Sequence, residues 1–203
     1  MGYDDSDRRD GPAGSAPAAV KFLIAGGFGV GKTTMVAALS EVEPLHTEEY
    51  LTVASVGIDD IAGVGDKDTT TVAMDFGRIT VSSDLVVYLF GTPVQERFWF
   101  MWDDLVLGAL GAVVIADTRR LETSFGSIDF FERRGIPFVV SVNCFDGHQD
   151  RTVPEIRDAL DLDPHVPILM GDLRQRSVSR DVLLTLVDYL MDGYESAGAA
   201  TAS

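Results

Sequence analysis

The sequence predicts an α/β fold in which a mostly parallel central sheet lies between two layers of helices. Continuous apolar runs are typical of parallel strands buried on both faces, and the segments between them carry helical spacing. A glycine-rich loop follows the first of these runs. Because 46% of the 203 residues are hydrophobic, the chain can bury one sizeable core. We expect a single domain over residues 20–191, with disordered tails at 1–19 and 192–203.

Strands and helices are expected to alternate along the chain. Apolar, β-prone runs predict strands at Lys21–Ala25, Val72–Phe76, Ile79–Val81, Leu85–Phe90, Ala112–Ala116, Phe138–Val142 and Val166–Leu169. Helical spacing predicts helices at Thr33–Val42, Arg97–Leu107, Leu121–Arg133, Val153–Leu160 and Val178–Met191. Gly77 marks either a bulge or a break, and in both cases an antiparallel hairpin of the second and third strands follows. Weak periodicity over Glu43–Asp68 suits a mobile segment.

The segment Gly26–Thr33, GGFGVGKT, is a complete G-x-x-x-x-G-K-[ST] phosphate-binding loop between a strand pattern and a helix pattern. Glycines let the backbone approach phosphate oxygens, and N–H groups at the start of the helix supply partial positive charge. Lys32 is predicted to contact the β- and γ-phosphates, and the Thr33 hydroxyl to bind Mg²⁺. The alternative is a glycine-rich turn without a ligand. The predicted nucleotide-binding residues here are Gly26, Phe28, Gly29, Val30, Gly31, Lys32, Thr33 and Thr34.

Two polar segments follow later strands, at the sheet edge where α/β proteins bind ligands. Asn143-Cys144-Phe145-Asp146 is similar to the N-K-x-D guanine motif of small GTPases, with Cys in place of Lys. The Asp146 carboxylate can accept from two N–H groups that guanine offers and adenine does not, so the predicted ligands are GTP and GDP. Alternatively, Asn143 and Asp146 are ordinary turn formers. Leu173 lies where small GTPases have a backbone contact to the base.

The segment Leu89–Phe98 resembles switch II of Ras-like proteins, which provides a magnesium-linked carboxylate, a glycine N–H for the γ-phosphate and a glutamine that orients water. Gln95 is therefore the predicted catalytic residue, and Val94 the predicted γ-phosphate contact. One threonine of Thr69–Thr71 is expected to bind Mg²⁺, with Thr70 the chosen candidate. Three β-prone threonines entering a strand need no ligand, which is the alternative.

Four segments together sharpen the resemblance: LFGTPVQERFWFMWDDL at 89–105, ADTRRL at 116–121, VNCFD at 142–146 and TTTVAMDFGRIT at 69–80. They resemble the conservon-type small GTPases of actinobacteria, which are relatives of the bacterial gliding-motility GTPase. The likeness covers about residues 20–191. It implies a Ras-like P-loop NTPase fold, a three-layer α/β/α sandwich. It also implies a roadblock-type partner and a complex with a sensor-kinase-like protein.

Besides Cys144, three further positions depart from the small-GTPase pattern. Gly91 stands where the magnesium-linked Asp usually is, so metal positioning should depend more on Thr33 and a switch I threonine. Val94 replaces the switch glycine and restricts the backbone freedom that switching uses. The ring of Phe28 either excludes a catalytic arginine and water from the loop or makes a packing contact there.

Several side chains have more than one interpretation. Arg97, Arg119 and Arg120 either stabilise transition-state charge from within the chain or are solvated surface residues, and the second is favoured. The aromatic residues Phe98, Trp99, Phe100 and Trp102 form either a partner surface or core. Two functions stay open: a guanine-nucleotide switch with slow hydrolysis and a non-hydrolysing nucleotide-binding scaffold. An adenine-nucleotide hydrolase or kinase is disfavoured by the resemblance to a guanine motif.

Composition restricts the partners. Lys and Arg number 16 against 32 acidic residues, and the resulting charge of −16 disfavours nucleic acid as a ligand. The longest nearly apolar run, Leu105–Ala116, is too short to cross a bilayer, so we expect no direct membrane insertion. The lone Cys144 excludes an internal disulfide. We expect a cytoplasmic protein whose membrane attachment, if any, comes through a partner.

Overall fold

The computed structural model describes residues 16–43, 45–51, 70–93, 99–147 and 150–201. These residues form five α-helices, two short 3-10 helices and a seven-stranded sheet. The strands are β1 Ala18–Gly26, β2 Leu45–Leu51, β3 Thr70–Ser82, β4 Leu85–Gly91, β5 Ala109–Ala116, β6 Phe138–Asn143 and β7 Ile168–Gly171. The helices are α1 Lys32–Leu39, α2 Trp99–Leu105, α3 Phe125–Arg134, α4 Val153–Ala159 and α5 Arg176–Thr201.

The strand order in the sheet is β2-β3-β4-β1-β5-β6-β7. Strand β1 pairs in parallel with β4 and β5, and β6 continues the parallel array to β7. Strand β3 runs antiparallel to both β2 and β4. The predicted fold class is therefore confirmed. Because the parallel strands end at one edge of the sheet, the segments after β1, β4, β5, β6 and β7 meet there, where a ligand of such a sheet binds.

The core has two layers, one on each face of the sheet. Helices α1 and α5 cover one face, with fully buried Met35, Val36 and Leu186. The other layer contains Phe131 and Trp102. The apolar runs of β1, β5 and β6 are buried on both faces of the sheet, as predicted for parallel strands.

The prediction of two separate strands around Gly77 is wrong. The two runs on either side of Gly77 form one continuous strand, and this strand makes the antiparallel hairpin with β4. A Cβ atom on Gly77 would lie 2.8 Å from Cγ1 of Val36 and 3.2 Å from Cβ of Ser40. The glycine therefore allows α1 to approach the sheet closely, and it does not mark a break in the strand.

Two further differences concern the ends of elements. Residues 45–51, expected to be part of a mobile segment, form β2, which lies at the edge of the described sheet and pairs with β3. The expected tail at 192–203 is helical over residues 192–201, because α5 continues to Thr201. This segment contains no proline and several alanines, so its sequence allows the helix to continue. The expected N-terminal tail lies outside the described residues up to residue 15.

The aromatic residues near α2 divide between core and undescribed positions. Trp102 is buried, donates from Nε1 to the carbonyl oxygen of Pro93 at 3.1 Å and packs on Phe130 with ring centres 4.8 Å apart. It is therefore a core residue. Phe98 and the side chains of Trp99 and Phe100 lie outside the described part of the chain. Among the described helices, none has the length and apolar character needed to span a membrane.

Truncation of Phe131 should strongly destabilise the fold. This side chain is fully buried, and its ring centre lies 5.9 Å from that of Trp102 and 6.2 Å from that of Phe138. Phe131→Ala should cost about 3–5 kcal/mol of unfolding free energy, through lost burial and a cavity. Phe125→Ala in the same helix should cost less than about 1 kcal/mol, since that ring is 41% exposed. Urea denaturation measures both, and equal losses would contradict this account of the core.

Candidate nucleotide-binding site

The glycine-rich loop connects the end of β1 to the start of α1, and its glycines are required by geometry. Gly26, Gly29 and Gly31 have φ values of 134°, 71° and 115°, in the region that favours glycine. A Cβ atom would lie 2.3 Å from the Ile115 carbonyl oxygen at Gly26 and 2.6 Å from Nδ2 of Asn143 at Gly31. The loop is thus fitted against β5 and β6, and its turn leads into the N-terminal N–H groups of α1.

Lys32, the first residue of α1, folds back over the loop. Its Nζ donates to the carbonyl oxygens of Gly26 at 3.0 Å and Gly27 at 2.9 Å. Burial lowers the pKa of Lys32 to about 8, against a smaller opposing effect of the Asp75 carboxylate. The loop therefore holds a partly desolvated ammonium group that gains from a polyanionic ligand.

Asp75 is a site residue that the sequence analysis missed. The Thr33 hydroxyl donates to Oδ2 of Asp75 at 2.7 Å, and Asp75 lies buried in β3. A Cβ atom on Gly91, in the adjacent strand β4, would lie 3.0 Å from both Cβ and Oδ2 of Asp75. The carboxylate that is absent at Gly91 therefore comes from the neighbouring strand, and glycine at that position leaves room for it. The available signal was a single carboxylate within the apolar pattern of β3.

The donor atoms of this pair suit Mg²⁺. A hydroxyl and a carboxylate are hard oxygen ligands, and Mg²⁺ is usually held by one or two such protein groups together with substrate phosphates and water. Within the part of the chain that the structure describes, no cluster of three or more His, Cys, Asp or Glu side chains could hold a metal ion. The residues that fit Mg²⁺ are therefore Thr33 and Asp75. The backbone of Thr70 lies in β3, but its side chain is outside the described residues.

Asn143 connects the loop to the segment after β7. Its buried side chain donates from Nδ2 to the Val30 carbonyl oxygen at 2.9 Å and accepts on Oδ1 from the Leu173 N–H at 3.2 Å. The predicted nucleotide residues Asn143, Val30 and Leu173 are thus brought together. The Leu173 N–H, expected to contact the base, already donates to Asn143, and the Leu173 side chain is fully buried.

Asp146, the predicted guanine-binding residue, is 75% exposed in its side chain and forms an ion pair. Nη2 of Arg174 donates to Oδ1 of Asp146 at 2.9 Å and to Oδ2 of Asp172 at 2.7 Å. A base can use the Asp146 carboxylate only if it replaces or shares this arginine. Cys144, at the position of the usual lysine, is buried, and burial raises the pKa of its thiol. Within the described residues it therefore packs as a small apolar side chain.

Asp117 is a second buried carboxylate that the sequence analysis missed. It follows β5 directly and accepts two hydrogen bonds from the Arg119 guanidinium, at 2.9 Å from Nε and 2.7 Å from Nη2. These bonds lower the pKa of Asp117 to about 2. Arg119 also stacks on the ring of Phe145, with its guanidinium carbon 4.5 Å from the ring centre.

The remaining predicted residues divide into two groups. Among the described residues, the Phe28 ring is 77% exposed and is not packed into the core. Thr34 is partly buried in the first turn of α1. Val94 and Gln95 lie outside the described residues, as does Thr69, and their roles stay predictions.

A positive-φ glycine loop between a central strand and a helix that begins Lys-Thr defines a P-loop nucleotide-binding protein. Solved structures place it among G-domain folds. It resembles the G domain of the T. maritima FeoB iron transporter (TM-score 0.57, 16% identity, covering 85% of this chain and 99% of that one). The FeoB G-domain from Methanococcus jannaschii gives a TM-score of 0.54 at 13% identity over 85% and 98% of the two chains.

A longer structure, the cytosolic domain of T. maritima FeoB in a GDP form, gives a TM-score of 0.58 at 15% identity and covers 86% of this chain. The present chain spans less than two thirds (64%) of that domain. At such identities the likeness shows the fold alone.

The sequence profile of one family, described as conserved hypothetical ATP binding protein, matches residues 24–193. The uncharacterized protein MJ1339 of Methanocaldococcus jannaschii is 32% identical over 129 residues, which are 63% of this chain and 71% of that protein. The chain belongs to the family of conserved hypothetical ATP binding proteins.

Restoring an aspartate at position 91 should damage the site. In Gly91→Asp the new side chain would meet Asp75, and two adjacent carboxylates would repel each other. We expect a loss of about 1–3 kcal/mol of unfolding free energy and weaker Mg²⁺-dependent nucleotide binding. The double variant Gly91→Asp/Asp75→Gly should recover most of the lost unfolding free energy and of the lost Mg²⁺-dependent binding. Thermal unfolding and Mg²⁺ titrations measure these effects, and normal Mg²⁺ dependence in Gly91→Asp alone would contradict the assignment of Asp75.

Nucleotide binding should be coupled to proton uptake through Lys32. A bound polyphosphate favours the charged ammonium and raises its pKa from the value of about 8 in the free protein. At pH 8 we expect uptake of about half a proton per nucleotide, and at pH 6.5 almost none, since Lys32 is then already protonated. Calorimetry in buffers of different ionisation enthalpy measures this uptake. Equal uptake at both pH values would contradict the burial of Lys32 described above.

Proposed function

We propose that the protein is a Ras-like guanine-nucleotide switch that binds GTP and GDP with Mg²⁺ and hydrolyses GTP slowly. The observation that carries this proposal is the pairing of the Thr33 hydroxyl with the Asp75 carboxylate, in a loop whose lysine is buried. Oxygen ligands for Mg²⁺ and a cation for the phosphates are the groups that phosphoryl transfer uses. Their presence supports binding of a complete Mg²⁺–triphosphate.

The proposed reaction is in-line attack of water on the γ-phosphate. Mg²⁺, when bound, supplies neutralisation of the charge that develops on the phosphate oxygens. Lys32 would hold the β- and γ-phosphates, while Thr33 and Asp75, with Thr70 as a further candidate, would hold the metal. Gln95 would orient the water, and the N–H of Val94 would contact the γ-phosphate.

Guanine specificity rests on Asp146. Its position directly after β6, beside an asparagine that binds the phosphate loop, supports a role near the base. One observation favours a second candidate, an adenine-nucleotide-binding protein: the Asp146 carboxylate is paired with Arg174. The description of the family also names ATP. The choice between guanine and adenine therefore depends on whether a base displaces the arginine or shares the Asp146 carboxylate with it.

The alternative to a hydrolysing switch is a non-hydrolysing scaffold in which the nucleotide is structural. Val94 supports it, because a β-branched residue restricts the backbone at the point where switching needs freedom. Gly91 does not support the scaffold, because Asp75 supplies a carboxylate to Thr33. The exposed ring of Phe28 also leaves space at the loop for water.

The proposed output is a change in partner affinity between the diphosphate and triphosphate forms. The resemblance to conservon-type small GTPases supports a roadblock-type protein that regulates the GTPase, within a complex that includes a sensor-kinase-like protein. The exposed Phe28 ring in the phosphate loop is an apolar group that such a partner could contact. We propose a cytoplasmic location, with any recruitment to the inner face of the membrane through a partner.

The first experiment identifies the nucleotide that the purified protein carries. Protein denatured without added nucleotide should release GDP, and added GTP with Mg²⁺ should be converted to GDP over time. Persistent GTP without turnover would favour the scaffold, and release of adenine nucleotide would favour the second candidate. Gln95→Ala should abolish the slow conversion. A site that binds no nucleotide would overturn the proposal.

Two matched variants test the choice of base. Asp146→Ala should abolish the preference for GTP over ATP, because the acceptor of the guanine N–H groups is removed. Arg174→Ala should keep or increase that preference, because it frees the same carboxylate from its ion pair. Competition between the two nucleotides in fluorescence titrations measures the preference. An unchanged preference in Asp146→Ala would contradict guanine recognition by this residue.

A further inference from the structure

The turn that follows β5 carries two arginines that share one buried carboxylate but extend to different places. Arg119 makes most of the hydrogen bonds to Asp117 and stacks on Phe145, beside the segment that contains Asp146. Arg120 makes a weaker contact with Asp117, from Nη2 to Oδ2 at 3.4 Å. The same Nη2 also donates to the Phe28 carbonyl oxygen in the phosphate loop, at 3.2 Å. One arginine therefore lies toward the proposed base and the other against the phosphate loop.

The position of Arg120 relative to the loop is held by several contacts. Its carbonyl oxygen accepts from the Thr123 hydroxyl at 2.8 Å. The Thr123 side chain lies so close to Gly27 that a Cβ atom there would be 2.5 Å from Oγ1. Leu121, which lies between Arg120 and Thr123 in the sequence, is buried in the core. The turn is thus packed on the phosphate loop, and these contacts hold the Arg120 backbone next to the loop.

The Arg120 guanidinium has capacity for a further acceptor. Its side chain is 42% exposed. Among the described residues, no group accepts from its Nε or Nη1. Nη2 lies 3.9 Å from the position that a Cβ atom on Gly29 would occupy, so the group borders the central turn of the loop. A phosphate oxygen is a stronger acceptor than the neutral carbonyl of Phe28, because the hydrogen bond is then charge-assisted.

Phe28 occupies the loop position that, in the resemblance to Ras-like proteins, leaves room for a catalytic arginine and water. Its ring is exposed and leaves the space beside its own carbonyl group to Arg120. We propose that Arg120 is a phosphate-contacting residue that binds the γ-phosphate of a bound triphosphate from within the chain. The inference rests on the proposed function, since it requires a nucleoside triphosphate in the loop.

The test compares the affinities for a triphosphate and a diphosphate. Kd values are measured for a non-hydrolysable GTP analogue and for GDP, and for the corresponding adenine pair, with wild type, Arg120→Ala and Arg119→Ala. Arg120→Ala should weaken binding of the triphosphate analogue by about tenfold and change diphosphate binding by less than about twofold. Arg119→Ala, which loses contacts to the same carboxylate, should change both affinities by one common factor.

Two conservative variants separate the charge from the fold. Arg120→Gln can keep a hydrogen bond to the Phe28 carbonyl without charge and should lose the same preference for the triphosphate. Arg120→Lys keeps the positive charge but lacks the planar guanidinium group, so it should retain part of the preference for the triphosphate. Equal triphosphate-to-diphosphate affinity ratios in wild type, Arg120→Ala and Arg120→Gln would overturn the assignment of Arg120 while leaving nucleotide binding intact. Absence of nucleotide binding by the wild type would overturn the proposed function and this assignment together.

Discussion

The buried side chain of Asn143 is the interaction on which the geometry of the site depends. Through one amide it binds the carbonyl group of the phosphate loop and the N–H group of the segment after β7. A buried amide left without partners costs about 1–3 kcal/mol, so each of these segments stabilises the position of the others. The close approach of this amide is also what excludes a side chain at Gly31. Asn143 is thus a structural link between the loops, whatever base the site binds.

Some charged groups of this site come from other positions in the chain than in the small-GTPase pattern. The carboxylate next to the Thr33 hydroxyl comes from β3, the strand beside the one that carries it in the small-GTPase pattern. Cys144, at the position of the lysine in the motif that this segment resembles, is buried, and guanidinium groups from the turn after β5 and from the segment after β7 lie near that corner. The site thus has a buried lysine close to a hydroxyl and a carboxylate, and electrostatic stabilisation depends on where a charge lies and not on which strand carries it.

The parts of the fold that follow from local chemistry were predictable, and the parts that depend on pairing were not. The runs in β1, β5 and β6 are apolar because both faces are covered, and the phosphate loop depends on glycines that the motif displays. Strand β2 has the polar sequence LHTEEYL and exists through its pairing with β3, which no periodicity reveals. The single carboxylate in the β3 pattern marks Asp75 as unusual, but its role could not be predicted, because it depends on lying beside Gly91 in the folded sheet. The pairing of Asp146 with Arg174 joins residues 28 positions apart, and only the fold brings them together.

The burial of Cys144 has a practical consequence for work on this protein. It is the only cysteine of the chain, it lies at the end of β6, and its backbone N–H donates to the Gly171 carbonyl oxygen at the end of β7. A thiol reagent can reach it only when this corner of the sheet opens, so the rate of its modification reports local opening at the proposed base-binding side. The rate of Cys144 modification therefore measures this local opening without any substitution in the chain. A fluorophore intended for any other surface would need a cysteine introduced there and this one removed.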